Sequence, residues 1–284
     1  MLVEAHALAR ELDDPALRVF DSSVVLGLPR DGSPYEVASG RPGYDAGHIP
    51  GAAFADLAGE LSDPDAPHPF TIPSAARFAA AAGRLGIGEG TPVVVYAQEG
   101  PWWATRLWWL LRCFGFDAVR VLNGGLPAWR AAGLPLSDEP VAYPPAAFVA
   151  RPRPELLAST ADVEQIASGA APACLVNALP PAQFRGERAS GTRRPGRIPR
   201  SVNVPVHTLL DAETNRFLPR ERLRDELAAA GLLGAAPVVA YCGGGIGATL
   251  DLFALALVGR DDARLYDGSL TEWAADAQRP IERD

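Results

Sequence analysis

The sequence contains no lysine; all 26 of its basic residues are arginine. A Schiff-base lysine is therefore excluded, and pyridoxal-phosphate chemistry with it. A Walker A phosphate loop is excluded too, because its lysine is missing. The bias has a genomic reading, since Arg, Ala, Gly and Pro all have G+C-rich codons. Cysteine is scarce: Cys113, Cys174 and Cys242 are widely spaced and odd in number, which fits neither a disulfide framework nor a zinc site. No apolar stretch approaches the ~20 residues that span a bilayer. Residues 1–20 are charged and helical in pattern, without the apolar core of a secretion signal. A cytoplasmic protein with reduced thiols and no membrane partner is expected. Positive charge is in deficit, 34 acidic against 26 basic residues for a net charge of −8, which argues against nucleic-acid partners. What is present is ample apolar chain: 284 residues, 48% hydrophobic, enough for one or two domains with their own cores.

The chain repeats itself once. GHIPGA at 47–52 returns as GRIPRS at 196–201, VVVY at 93–96 as VVAY at 238–241, and LNGGLPAW at 122–129 as YDGSLTEW at 266–273. The order is kept and the offset is nearly constant, so a domain-sized tandem duplication is inferred. The expected division is a first domain over 1–138, a proline-rich linker over 139–156 and a second domain over 157–284.

Each half alternates short β-rich runs with helical patterns. Leu17–Phe20, Val93–Tyr96 and Val119–Leu122 read as strands in the first half; Ala173–Val176, Val238–Tyr241 and Ala263–Tyr266 match them in the second. Helices are expected at Ser74–Leu85, Pro101–Phe114, Arg220–Ala230 and Ile246–Val258. Continuous apolar strands alternating with helices imply an α/β fold with mostly parallel sheets, and such folds bind ligands beyond the carboxyl ends of the strands.

Cys242 falls at that place. The strand ends at Tyr241, Cys242 follows, and Gly243-Gly244-Gly245-Ile246-Gly247 leads into a helix. Glycines let successive backbone N–H groups converge, and a helix N-terminus adds its positive dipole end. Such a cradle stabilises a thiolate or a bound anion. Cys113, in an apolar helical run, and Cys174, within a strand, read as packed core thiols. In the first half the matching loop is Ala97-Gln98-Glu99-Gly100-Pro101, with Gln98 close to the position of Cys242 and no nucleophile.

The two-domain layout, GHIPGA, Leu122–Trp129 and Tyr241-Cys242 before a cradle loop together resemble the tandem rhodanese-like sulfurtransferases, which include thiosulfate and 3-mercaptopyruvate sulfurtransferases. The resemblance spans nearly the whole chain. It implies two tandem rhodanese-like domains, each a mostly parallel sheet flanked by helices, with a non-catalytic first domain and a catalytic second one. It further implies ping-pong transfer of a sulfane sulfur from a small anionic donor, through a Cys242 persulfide, to a thiol or cyanide. No metal or organic cofactor is called for, and a monomer or weak dimer is expected. Thiosulfate-preferring members carry basic residues inside the loop, and mercaptopyruvate-preferring members carry Cys-Gly-Ser-Gly-Val. Here the loop has neither, with Gly244 near the serine position, so both donors stay open.

Charge for an anionic donor is expected from outside the loop. Residues 185–200 hold Arg185, Arg188, Arg193, Arg194, Arg197 and Arg200 against the single acid Glu187. By position the resemblance implies Arg185 and Arg194 as donor-binding, with Arg193 the nearest competitor; the forked guanidinium suits carboxylates and sulfonates. Gly243, Gly244, Gly245, Ile246 and Gly247 are the expected substrate-cradling backbone. His48 in GHIPGA is a further candidate, either facing the nucleophile or capping its turn, and the capping role is favoured. The Trp102-Trp103 and Trp108-Trp109 pairs read as packing residues, and Trp273 as a candidate pocket wall. Two other functions fit less well. A rhodanese-fold phosphatase needs an arginine six positions beyond the nucleophile, where Ala248 stands. A non-enzymatic sulfur relay would load once without turning over.

Overall fold

The computed structural model describes residues 1–27, 36–188, 192 and 194–284. It divides into two compact units. The first comprises Met1–Val25, Val37–Arg153 and Ala212–Arg216; the second comprises Leu26–Glu36, Pro154–Asp211 and Phe217–Asp284.

Along the first half run β1 (Leu2–Val3), α1 (Ala5–Ala9), β2 (Arg18–Asp21), β3 (Val24–Gly27), β4 (Glu36–Ser39), α2 (Arg41–Ala46), β5 (Ala53–Phe54), α3 (Ala75–Arg84), β6 (Val93–Tyr96), α4 (Trp102–Cys113), β7 (Val119–Leu122) and α5 (Gly125–Ala131). Five of the strands form a parallel sheet in the order β1-β7-β6-β2-β5, while β3 and β4 form a separate two-stranded sheet. The second half follows with α6 (Thr160–Ser168), β8 (Cys174–Asn177), α7 (Pro181–Phe184), β9 (Ser201–Asn203), α8 (Arg220–Ala229), β10 (Val238–Tyr241), α9 (Gly247–Leu257), β11 (Arg264–Leu265) and α10 (Ser269–Ala275). Its sheet is β11-β10-β8-β9, again parallel. The counterpart of β1 is reduced to one parallel bridge, Leu157 to Leu265.

The all-apolar runs become the inner strands for a physical reason: helices cover both faces of a parallel sheet, so every side chain of β6 and β10 is buried. Capping sets the helix ends. Ser74 accepts the Arg77 N–H to start α3, and Ser159 and Asp162 form a capping box on α6. The N-terminal segment differs from its helical expectation, because only Ala5–Ala9 is helical and β1 and β2 flank it. Cys113 is buried in α4, as are Trp103, Trp108 and Trp109.

The repeated motifs meet in space within each unit. The Tyr96 hydroxyl accepts the Ile49 N–H of GHIPGA at 3.3 Å, and the Tyr241 hydroxyl accepts the Ile198 N–H of GRIPRS at 3.0 Å. Trp129 Nε1 donates to the Pro135 carbonyl and Trp273 Nε1 to that of Pro280, both at 2.8 Å. The duplicated residues are those that lock the turn and the last helix onto each sheet. Trp273 therefore packs in the core of the second unit.

Candidate active site

In the second unit the chain leaves the carboxyl end of β10 at Cys242, whose exposure is 4%. The loop turns back through Gly245 at φ 78°, a left-handed conformation that glycine adopts without strain, and α9 begins at Gly247. Two absent side chains shape the cradle. A Cβ on Gly244 would meet only Thr271 Oγ1, at 3.8 Å. A Cβ on Gly247 would lie 3.8 Å from Cys242 Cβ, between Val206 and Ala178. The loop thus leaves the flank of Cys242 Cβ free of a side chain, and none of the loop's own side chains is charged.

The start of α10 holds the cysteine. The Cys242 N–H donates to Ser269 Oγ at 3.1 Å, and that hydroxyl donates to the Tyr266 carbonyl at 2.9 Å. The Leu270 N–H donates to the Cys242 carbonyl at 3.1 Å. Thr271 donates twice to the Gly243 carbonyl, from its N–H at 2.9 Å and its hydroxyl at 2.8 Å. Ser269 is fully buried at φ 52°, a conformation that is costly for a residue with a Cβ. Sequence reasoning did not single out Ser269 or Thr271. A signal for Ser269 existed in the repeat, because it takes the place of Gly125, which sits at φ 57°.

The first unit keeps the scaffold without the thiol. The Leu126 N–H donates to the Ala97 carbonyl at 2.9 Å, mirroring Leu270 and Cys242, so the cysteine's counterpart is Ala97 rather than Gln98. Gln98 folds back: its N–H donates to Ser23 Oγ at 2.8 Å, and its Nε2 to Asp21 Oδ2 at 2.9 Å and the Gly40 carbonyl at 3.2 Å. Burial pushes the Asp21 carboxyl above its usual range, against hydrogen bonds from Ser23 and Gln98 that pull it down.

The arginines are more engaged than their sequence suggests. Arg185 is half-exposed and forks onto Glu187 at 2.6 and 3.0 Å. Arg197 lies over the Phe184 ring and pairs with Glu282 at 3.5 Å and Asp284 at 2.7 Å. Arg194 differs from its expected placement: its terminal nitrogens donate to the carbonyls of Asp276 and Arg279, each at 2.6 Å, just beyond the C-terminal end of α10. Those carbonyls lie at the end of the helix remote from Ser269, and both terminal nitrogens of Arg194 are engaged there. Arg193 lies outside the described residues. His48 is fully buried in the first unit, stacked on Tyr44, with Nδ1 at 2.9 Å from the Tyr44 carbonyl and Nε2 at 3.1 Å from that of Glu139. Both ring nitrogens thus face main-chain carbonyls.

Asp251, four residues into α9, was also missed. It is fully buried, neither carboxyl oxygen has a hydrogen-bond partner among the described residues, and desolvation pushes it well above the carboxylate range. No described helix is long and apolar enough to cross a membrane.

The family profile described as Rhodanese-like domain matches residues 4–132 and 159–276, once per repeat. The chain belongs to the rhodanese-like domain family. Among curated rhodanese relatives, 3-mercaptopyruvate sulfurtransferase of Escherichia coli (strain K12) is 34% identical over 283 residues, covering 99% of this chain and 97% of the relative. The putative thiosulfate sulfurtransferase SseB of Mycobacterium tuberculosis (strain CDC 1551 / Oshkosh) is 37% identical over 251 residues, 86% of each chain. The crystal structure of SseA from Escherichia coli, described as a 3-mercaptopyruvate sulfotransferase with the rhodanese fold, superposes with a TM-score of 0.81 at 32% identity, covering 94% of this chain and 98% of that one. The tandem α/β architecture inferred from the repeats is thus that of the rhodanese family.

Proposed function

We propose that this sulfurtransferase takes its sulfur from 3-mercaptopyruvate and carries it as a persulfide on Cys242. The observation that carries the reading is the loop itself: Cys242 stands at a strand end, its peptide units fixed by Ser269, Leu270 and Thr271, in a glycine cradle that holds no cationic side chain.

Thiosulfate brings two negative charges close to its reacting sulfur and calls for a cation inside the loop. 3-Mercaptopyruvate brings one carboxylate, separated from its sulfur by two carbons, so neutral N–H dipoles suffice at the sulfur. Its carboxylate is left to a cation outside the loop, a part assigned to the half-exposed Arg185 in exchange for Glu187.

In the first half-reaction the Cys242 thiolate attacks the donor sulfur. An S–S bond forms and the donor C–S bond breaks. The electron pair stays on carbon as the enolate of pyruvate, which takes the thiol proton and leaves as pyruvate. The persulfide anion remains in the cradle, where loop N–H groups and the N-terminus of α9 stabilise its charge. In the second half-reaction a thiolate or cyanide attacks the outer sulfur, the S–S bond breaks, and the Cys242 thiolate returns. Gly247 leaves the position beside Cys242 Cβ free of a side chain, between Val206 and Ala178, and the outer sulfur is assigned to that side.

Intact-mass measurement after exposure to each donor tests this. 3-Mercaptopyruvate is expected to add one sulfur atom, lost in Cys242→Ser, and cyanide to be turned over many times. Faster loading from thiosulfate would overturn the donor, loading in Cys242→Ser would overturn the nucleophile, and a single equivalent of thiocyanate would favour a relay.

A further inference from the structure

We propose that Thr271 is a positioning residue for the sulfur cradle, setting the orientation of the Gly243–Gly244 peptide so that the Gly244 N–H faces the reacting sulfur. The inference rests on Cys242 as the nucleophile.

Three consecutive glycines follow Cys242. With no Cβ on either side, the Gly243–Gly244 peptide has little intrinsic preference between its two flipped orientations. In one, an N–H points into the cradle; in the other a carbonyl oxygen does, and its lone pairs would repel a thiolate or persulfide. The choice has to be imposed from outside the loop.

Thr271 imposes it. Both of its donors converge on the Gly243 carbonyl, the N–H at 2.9 Å and Oγ1 at 2.8 Å. The preceding carbonyl, that of Cys242, is held on the same side by the Leu270 N–H at 3.1 Å. In a trans peptide the C=O and the following N–H point in opposite directions. With both carbonyls fixed on α10, the N–H groups of Gly243 and Gly244 point away from it, into the loop. Oγ1 also lies 3.8 Å from where a Gly244 Cβ would be, so the hydroxyl sits beside that glycine.

The first unit supplies an internal comparison. Leu126 keeps its bond to the Ala97 carbonyl, but the residue matching Thr271 is Pro127, which has neither an N–H nor a hydroxyl. The second clamp is missing in the half that has no nucleophile. Leu270 and its counterpart Leu126 serve the scaffold; Thr271 serves the site.

The test compares Thr271→Val, Thr271→Ala and Thr271→Ser in the full chain. The first two keep the backbone N–H bond and remove the hydroxyl, and alanine removes any steric objection to valine. Steady-state rates with 3-mercaptopyruvate and cyanide are measured beside the rate of Cys242 alkylation by iodoacetamide at fixed pH, which needs neither donor nor acceptor. The alkylation rate therefore reads the loop even if the donor assignment fails, and Cys242→Ser turnover reads the nucleophile separately. Expected are a kcat lowered about tenfold in the valine and alanine variants, an unchanged KM, slower alkylation, an unfolding temperature within about 2 °C of wild type, and recovery in Thr271→Ser. Wild-type kcat and alkylation in both hydroxyl-free variants would overturn the proposal. So would a serine variant as slow as the valine one, or a kcat loss that only follows a fall in unfolding temperature.

Discussion

The Tyr241 hydroxyl accepts the Ile198 N–H at 3.0 Å and lies 2.7 Å from Ser201 Oγ, tying the strand that leads to Cys242 to the turn that starts β9. Burial dominates its surroundings and pushes the phenol up to about 12, so it stays a neutral hydroxyl across any working pH. Tyr241→Phe strips a buried amide of its acceptor. A loss of about 1–3 kcal/mol is expected in chemical denaturation, and a change below a few tenths would show that the turn does not depend on this bond.

Ser269 combines an unfavourable backbone with a useful hydroxyl. Ser269→Gly relieves the left-handed strain and loses the acceptor for the Cys242 N–H; Ser269→Ala loses the acceptor and keeps the strain. The alanine variant should be the less stable of the two by about 1 kcal/mol, with both slower than wild type. Equal stabilities would mean the strain at φ 52° is not felt.

Asp251 makes a pH signature. Its folded carboxyl is raised above its unfolded value by desolvation, so the folded state holds the proton more tightly. Stability then falls as pH rises above about 4 and levels off beyond the folded pKa, with a slope of about 1.4 kcal/mol per pH unit inside that window. In Asp251→Asn this contribution disappears. Unfolding free energies between pH 4.5 and 7.5 should diverge, the variant gaining on wild type as pH rises; parallel curves would contradict the assignment.

Arg185 and Arg194 should separate cleanly. Arg194→Ala gives up two bonds to the Asp276 and Arg279 carbonyls and should cost about 2 kcal/mol of stability, with the donor KM unchanged. Arg185→Ala should raise that KM severalfold without a stability loss. The reverse pattern in paired KM and melting measurements would return Arg194 to the donor.

The legible parts of this chain are those encoded locally. Val93–Tyr96 and Val238–Tyr241 match the strands residue for residue because continuous β-branched runs between Pro and Gly suit a doubly covered strand. Helices α3, α4, α8 and α9 fall within a residue or so at each end, where proline, serine or glycine marks the start. The short helices α2, α5 and α10 went unseen: each starts at or just after a glycine and has too few turns to display a period. Cys242 was legible because strand, cysteine and glycines are adjacent in sequence. Its supports were not, since Ser269 and Thr271 act from the next strand–helix connection. The partners of Arg194 and Arg197 were hidden for the same reason: Arg197 pairs with Glu282 and Asp284, and Arg194 donates to the Asp276 and Arg279 carbonyls, all far along the chain.

The loop of the first unit shows how much separates the two halves at this one place. Ala97→Cys would put a thiol next to Gln98, whose amide is bonded to Asp21 and Gly40, and opposite Pro127, which offers no donor to the following carbonyl. The thiol alone would not reproduce the surroundings of Cys242, where Thr271 donates twice to the carbonyl that follows. The two halves therefore differ in a coordinated set of residues, and no single substitution makes them alike.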